Sequence, residues 1–198
     1  MDFTLFIYII LFLIIIFLVT LVVAMYSTYG ERKVAAFMQD RLGPNRAGPY
    51  GLLQPLADGV KMFMKEEIIP LTANKRFFIL GPSIAMTTAM LTGVVIPWGG
   101  TITIGGREFS MQIADLNIGI LYVFAMVSIG VYGIMIGGWA SNNKYALLGS
   151  IRAASQMISY EIAMGMSIIA LILTTGSLSL HDIVQQQQGW HWNIFYQP

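Results

Sequence analysis

The sequence contains no cysteine, which excludes several kinds of redox protein. Without cysteine the chain has no disulfide framework, no thiolate metal site and no thiolate ligands for an iron–sulfur cluster. Histidine is nearly as scarce. The two histidines, His181 and His191, both lie in the polar C-terminal stretch, where they cannot hold a pair of haems in a membrane. We therefore predict no redox centre and no metal site in this chain, and we expect any electrons to come from a partner.

Charged residues are also rare. They make up 11% of the 198 residues, against roughly 25% in soluble domains. Hydrophobic residues make up 56%. The net charge of +1 and the lack of any basic run give no reason to expect a nucleic-acid partner. This composition predicts an integral membrane protein in contact with the lipid bilayer.

Four long apolar stretches predict four transmembrane helices, since about 20 apolar residues are needed to cross a bilayer as a helix. The predicted spans cover approximately residues 3–29, 77–98, 115–139 and 153–175. The first is longer than the apolar region of a signal peptide, and no small-residue cleavage site follows it. We therefore interpret it as a retained span.

The third span has two local signals. Asp115 lies at its start, where an aspartate is a common helix N-cap. Further along, Gly133 and Gly137 form a small-xxx-small pair, and Gly119 and Gly130 add two more small residues. Small residues at this spacing are typical of a face on which two membrane helices approach closely.

A short β-hairpin is predicted between the second and third spans. Thr101–Ile104 and Arg107–Phe109 flank Gly105-Gly106, which is a two-residue hairpin signal. We place this hairpin on the outer face. The predicted fold class is an all-α integral membrane protein, with residues 1–198 forming a single membrane domain.

A polar segment, residues 31–76, separates the first two spans. Its stretch from Glu31 to Pro70 contains six of the eleven Lys and Arg residues and five of the ten Asp and Glu residues. Prolines and glycines prevent one long helix through Arg41–Leu53. Within that stretch Gly43-Pro44-Asn45 predicts a turn, because Gly and Asn tolerate the left-handed conformation.

After Pro55 the pattern becomes helical. Apolar residues fall on one side of a helical wheel, and Gln54, Asp58, Lys61 and Lys65 fall on the other. This predicts a short amphipathic helix lying in the membrane interface, with Asp58 one turn from Lys61.

The distribution of positive charge predicts the orientation. Residues 31–76 and 141–152 together contain ten of the eleven Lys and Arg residues, and the other is Arg107. The positive-inside rule therefore places these two segments inside and the N-terminus outside.

Glu161 is a carboxyl group within the fourth predicted span. A charged group there costs at least about 2.5–3.5 kcal/mol on insertion scales, so it should face protein or water. Arg152, Gln156 and Tyr160 repeat every four residues and form a polar stripe next to it. We interpret Glu161 as a candidate proton relay, with a structural carboxyl neutralised by a partner helix as the alternative.

Three segments together resemble one family. They are ERK at the end of the first span, QDRLGPNRAGPYGLLQPLADGVKMFMKEE from Gln39 to Glu67, and WASNNKYALLGSIRAASQMISYE from Trp139 to Glu161. These segments resemble the H subunit of proton-pumping NADH:quinone oxidoreductase, respiratory complex I, whose mitochondrial counterpart is NADH dehydrogenase subunit one. The resemblance runs from residue 1 to residue 198.

The resemblance implies a function. The family's subunit forms the membrane-side floor of the quinone chamber and couples quinone reduction to proton translocation. Quinone is the substrate, while FMN and the iron–sulfur clusters belong to partner subunits. The implied partners are the peripheral-arm quinone-site and terminal iron–sulfur subunits and the small membrane subunits of the pumping arm. The implied location is a bacterial inner membrane, or the mitochondrial inner membrane.

The resemblance also assigns roles to residues in matching motifs. Three groups are implied: the quinone chamber, Glu31, Arg32 and Asp58; the proton relay, Tyr160 and Glu161; and contacts with the peripheral arm or lipid, Arg41, Arg46, Lys61 and Lys65.

The length differs from the family pattern. Family members are about twice as long and have eight spans, so we expect the second half of the family fold to be absent here, through a partial chain or a split subunit. Two other functions stay open: the equivalent subunit of an energy-converting hydrogenase or other-donor dehydrogenase, and a structural membrane anchor.

Overall fold

A computed structural model describes residues 3–104 and 106–195. The chain divides into two compact units, Met1–Ile68 and Ile69–Pro198. The single membrane domain predicted from the sequence stays a prediction, and each unit is described by itself.

The first unit contains two helices. They are α1 (Phe3–Met38) and α2 (Gln54–Met64), joined by a turn region with one short 3-10 helix, Pro49–Gly51. Helix α1 is 36 residues long, so the predicted boundary at residue 29 was wrong. The helix continues because Glu31, Arg32, Lys33 and the alanines that follow are good helix formers, although they are not apolar.

The turn region, residues 39–53, departs from the prediction in one respect. No long helix crosses it, as expected, but Gly43 and Asn45 do not adopt the left-handed conformation. The residues with positive φ in this stretch are Asp40, Gly48, Tyr50 and Gly51. Gly51 is buried, and a Cβ there would collide with the carbonyl oxygen of Pro44. Glycine is therefore required at position 51 for both its backbone angle and its lack of a side chain.

The amphipathic helix predicted after Pro55 is α2. Pro55 is buried, Asp58 and Gly59 are half-buried, and a Cβ on Gly59 would lie 3.7 Å from the Met25 sulfur of α1. The apolar side of α2, which includes Leu56, Val60 and Phe63, is exposed. This face is free to meet lipid, as expected of an interfacial helix.

The second unit contains four further helices and a hairpin. Its helices are α3 (Lys75–Thr92), α4 (Gly119–Ala140), α5 (Lys144–Thr175) and α6 (Leu180–Gln186). Within residues 3–104 and 106–195, four helices are long and apolar enough to cross a membrane: α1, α3, α4 and α5. The predicted all-α membrane fold class with four spans is confirmed.

Helices α3 and α4 pack closely through glycine. A Cβ added to Gly133 would lie 2.6 Å from the Gly81 carbonyl oxygen, and one added to Gly81 would lie 2.9 Å from the Gly137 Cα. Backbones approach this closely where side chains are small. The predicted packing face of α4 is therefore confirmed.

Two predicted boundaries in this unit were wrong. Helix α4 begins at Gly119 with Ile118 as its N-cap, so Asp115 does not cap it. Helix α5 begins at Lys144, nine residues before the predicted start, because the Asn143 side chain accepts a hydrogen bond of 2.9 Å from the Tyr145 N–H. An asparagine N-cap satisfies an otherwise unpaired backbone donor. The predicted polar loop therefore shortens to a turn.

The hairpin forms as predicted. Strands β1 (Thr101–Ile104) and β2 (Arg107–Ser110) pair antiparallel with Thr101 opposite Ser110, and β2 is one residue longer than expected. Of the two predicted turn residues, Gly105 lies outside the described residues. The short helix α6 was not predicted, although Ser179, which accepts from the Asp182 N–H, fits the usual capping pattern.

Candidate functional site

The first candidate site is an ion pair between α1 and α2. The Arg32 Nη1 donates to the Asp58 Oδ2 at 2.7 Å, and the Gln54 Nε2 donates to the other carboxylate oxygen at 3.4 Å. Arg32 reaches this position because α1 continues beyond its apolar part. Asp58 reaches it because it lies on the side of α2 that packs against α1. The structure thus brings together two of the three residues expected at the quinone chamber.

The ion pair keeps Asp58 ionised. The hydrogen bond from Arg32 is the main cause of a lowered pKa for the Asp58 carboxyl. Partial desolvation opposes this effect, while the hydrogen bond from Gln54 and the charges of Arg32 and Lys61 add to it. The side chains of Arg32 and Asp58 are 57% and 31% exposed, so the pair is open to a ligand on one side. A paired guanidinium beside a fixed carboxylate suits a polar ligand with acceptor oxygens.

The surrounding turn region fixes this site. The Tyr29 hydroxyl donates to the Tyr50 carbonyl oxygen at 2.7 Å, which ties the turn to α1. Pro44 and Pro55 line the same small cavity as Arg32 and Asp58. Sequence reasoning did not identify Gln54 or Tyr29 as site residues. For Gln54 the available signal was its spacing, one helical turn before Asp58.

An open cleft adjoins Arg32. Its volume is about 720 Å³. Two residues expected to contact the peripheral arm or lipid, Arg41 and Arg46, line it together with Arg32, Asn45 and Gln54. The Arg41 guanidinium also donates to the Gln39 side chain at 2.7 Å. Three arginines around one cleft make it electropositive.

Glu31, Lys61 and Lys65 are placed differently. All three are exposed, and none lines the cleft. Glu31 has no ion pair among the described residues. It precedes Arg32 directly on α1, and consecutive helical residues point about 100° apart. The structure therefore does not bring Glu31 to the Arg32–Asp58 pair.

The second candidate site is a carboxyl group between α4 and α5. The Ser128 hydroxyl of α4 donates to the Glu161 Oε2 of α5 at 3.0 Å. The Glu161 Oε1 is buried and has no hydrogen-bond partner among the described residues. Both residues lie near the middle of their helices. Ser128 was missed from sequence, although it is the sole Ser or Thr in α4.

Tyr160 lies on another side of α5. Its side chain is 72% exposed, whereas Glu161 is half-buried against α4. Arg152 and Gln156, at the same four-residue spacing, are exposed as well. The two residues expected to form the proton relay are thus adjacent in sequence but do not share a face.

Metal binding was also considered for both sites. Among residues 3–104 and 106–195, no group of three or more His, Cys, Asp or Glu side chains could hold a metal ion.

Comparison with known proteins identifies the family. A family model described as NADH dehydrogenase matches residues 10–198. The first of the H subunits of NADH-quinone oxidoreductase in Cytophaga hutchinsonii is 72% identical over 183 residues, which is 92% of this chain and 54% of that protein. The H subunit of the NADH-quinone oxidoreductase of Flavobacterium johnsoniae is 60% identical over 186 residues, 94% of this chain and 53% of that protein.

A more distant relative gives the same result. The second of the NADH-quinone oxidoreductase H subunits in Geobacter sulfurreducens is 54% identical over 183 residues, covering 92% of this chain and 55% of that protein. The chain spans about half the length of the curated relatives it matches. With its four apolar helices and a matched region that includes both candidate sites, the chain belongs to the NADH dehydrogenase family.

Proposed function

We propose that this chain forms part of the H subunit of a proton-translocating NADH-quinone oxidoreductase. In this role it contributes one wall of the quinone chamber and couples quinone reduction to proton translocation. The relatives that carry this name support the proposal. The single observation that carries it is the ion pair of Arg32 and Asp58, which lies where the family motif predicts the chamber.

The geometry of the ion pair fits a quinone head group. Arg32 has five N–H donors in a rigid fork, and the pair with Asp58 occupies Nη1. The remaining donors are free to bind a quinone carbonyl oxygen, while Asp58 keeps the fork in one orientation. Arginine stays charged at any physiological pH, so it orients the quinone and does not supply its protons. Reduction to quinol takes two electrons, from a partner's iron–sulfur cluster, and two protons.

We assign the coupling role to Glu161. A carboxyl group in the middle of a membrane helix is costly to insert and marks a proton pathway in many membrane proteins. Its burial between α4 and α5 supports this assignment. Tyr160, exposed on the neighbouring face together with Arg152 and Gln156, stays in the proposal as a second polar route, and Glu31 stays in it as a residue of the chamber mouth.

The cleft beside Arg32 suggests where partners bind. We propose that Arg41 and Arg46 contact the peripheral arm, whose subunits carry the FMN and the iron–sulfur clusters. Lys61 and Lys65, exposed on and after α2, would meet that arm or lipid head groups. In this arrangement residues 31–76 lie on the inner side of a bacterial inner membrane and the N-terminus lies outside.

The test replaces Asp58 with asparagine in the full-length subunit of the assembled oxidoreductase. We expect Asp58→Asn to lower quinone-linked NADH oxidation by about tenfold or more, because it removes a charge-assisted hydrogen bond. Ferricyanide reduction, which needs only the peripheral arm, should be unchanged. Asp40→Asn is the matched control. It lies in the same segment, has φ of 49°, which asparagine tolerates, and forms no ion pair among the described residues. Equal loss of both activities, or full quinone-linked activity, would contradict the proposal.

A further inference from the structure

The hydroxyl group of Ser128 behaves differently from the other hydroxyl groups in the spans. Most Ser and Thr side chains in the long helices donate to a carbonyl oxygen three or four residues back in their own helix, as Ser83, Ser159 and Ser167 do. This is the usual way to satisfy a hydroxyl group in lipid. Ser128 instead donates across the helix interface to Glu161.

The result is an asymmetric carboxyl group. One oxygen of Glu161, Oε2, accepts the hydrogen bond of 3.0 Å from Ser128. The other, Oε1, is buried and has no partner in the described part of the chain. A buried oxygen without a hydrogen bond binds a proton more readily than one that is already hydrogen-bonded, because protonation lowers its desolvation cost.

We propose that Ser128 is a positioning residue for the proton relay at Glu161. This inference rests on the relay role proposed above for Glu161. The Ser128 hydroxyl fixes Oε2, restricts rotation of the carboxyl group and leaves Oε1 as the oxygen that takes up and releases the proton. The proton arrives at and leaves from Oε1, and the O–H bond of Ser128 is not broken.

The hydrogen bond supports both protonation states. When Glu161 is ionised, the hydroxyl donor stabilises the negative charge on Oε2. When Oε1 is protonated, Oε2 becomes the carbonyl oxygen of the acid and still accepts from Ser128. Ser128 therefore keeps the side chain in one orientation through the whole cycle, which an apolar residue of similar size cannot do.

The test compares variants in the assembled oxidoreductase with the full-length subunit. Ser128→Ala removes the donor and Ser128→Thr retains it. Glu161→Gln identifies the infrared band of the carboxyl C=O stretch in spectra of the protein with quinone oxidised and reduced. Ser167→Ala is the matched control, because Ser167 donates to the Met164 carbonyl oxygen of its own helix.

We expect the band lost in Glu161→Gln to move to higher frequency in Ser128→Ala, since a free C=O bond vibrates faster than a hydrogen-bonded one. It should return toward its original position in Ser128→Thr and stay in place in Ser167→Ala. Turnover with quinone should fall about threefold to tenfold in Ser128→Ala, the usual effect of losing one hydrogen bond. The KM for quinone should be unchanged, because Ser128 does not touch the quinone.

The outcomes separate the two proposals. If Glu161→Gln has full quinone-linked activity and proton translocation, the relay role proposed for Glu161 is wrong. If Glu161→Gln is impaired but Ser128→Ala has an unmoved band and full turnover, the positioning role of Ser128 alone is wrong. Should Ser128→Ala lower the amount of assembled complex, Ser128→Cys provides the same comparison, since a thiol is of similar size but donates only weakly.

Discussion

Arg32 and Asp58 form a hydrogen-bonded ion pair of 2.7 Å although 26 positions separate them in the sequence. The pair joins the polar end of a membrane-spanning helix to a short amphipathic helix. Both side chains are partly exposed, so the pair by itself adds little to stability, as is usual for exposed ion pairs. Its orientation of the guanidinium group is therefore the more important effect, and this leads to a prediction about Arg32.

Arg32→Lys should impair the site although it preserves the charge. A lysine ammonium lacks the planar fork that lets arginine pair with a carboxylate and still donate to a second acceptor. We expect the KM for quinone of the assembled oxidoreductase to rise by about tenfold, the loss of one charge-assisted hydrogen bond. Steady-state kinetics with a soluble quinone measure this. Arg76→Lys, an exposed arginine at the start of α3, should leave KM unchanged. An unchanged KM in Arg32→Lys would rule out a direct contact of the fork with quinone.

The lowered pKa of Asp58 predicts how the site responds to pH. Its ordinary value is 3.8, and the hydrogen bond from Arg32 moves it lower, so the ionised form is favoured in the folded protein. The contribution of the ion pair is then complete above 3.8 and is lost only as the pH falls through the lower folded value. The ratio of wild-type to Asp58→Asn quinone-linked activity should stay constant from roughly pH 5 to pH 8. A ratio that changes within this range would show that Asp58 titrates there.

Gly51 should be sensitive to the smallest substitution. Its φ is 80°, and a Cβ would collide with the Pro44 carbonyl oxygen, so Gly51→Ala strains the turn that supports the ion pair. We expect a cost of about 1–3 kcal/mol, the usual range for such backbone strain. Gly30→Ala is the control, because Gly30 lies within α1 and a Cβ there meets no atom within 4 Å. Thermal dissociation of the purified complex should fall in temperature for Gly51→Ala and not for Gly30→Ala.

The sequence was sufficient to predict which elements form, because length and apolarity determine membrane spans and alternation with Gly-Gly predicts a hairpin. Helix ends were harder to predict. The stretches Glu31–Met38 and Lys144–Arg152 are polar, which suggested loops, but they also favour helix, and nothing in them ends it. Asp115 has the right residue type for a cap, yet the chain around it is held by the bond of 3.1 Å from the Ala114 N–H to the Val94 carbonyl oxygen.

The sites depend on information that a single sequence does not contain. The ion pair of Arg32 and Asp58 requires α1 to extend and α2 to turn its half-polar side inward, and neither is visible in hydropathy. The bond between Ser128 and Glu161 requires the relative rotation of α4 and α5, which side-chain packing decides. Tyr160 and Glu161 could be named from their motif, but only the packed helices separate an exposed phenol from a buried carboxyl.

The glycines of α4 give a last prediction that the sequence alone could not make. Gly133 and Gly137 form one small-xxx-small pair, yet a Cβ on Gly133 would lie 2.6 Å from the Gly81 carbonyl oxygen, while a Cβ on Gly137 meets no atom within 4 Å. Gly133→Ala must therefore push α3 and α4 apart. We expect it to destabilise the second unit by about 1–3 kcal/mol, as overpacking usually does.

Gly137→Ala should instead be neutral or slightly stabilising, because alanine favours a helix by about 0.5–1 kcal/mol relative to glycine. The temperature at which the purified full-length subunit unfolds in detergent measures both variants. Because the two substitutions add the same methyl group to the same helix one turn apart, a difference between them reports on the contact with Gly81 and not on the hydrophobicity of α4. Equal effects of the two substitutions would mean that α3 does not contact α4 through Gly133.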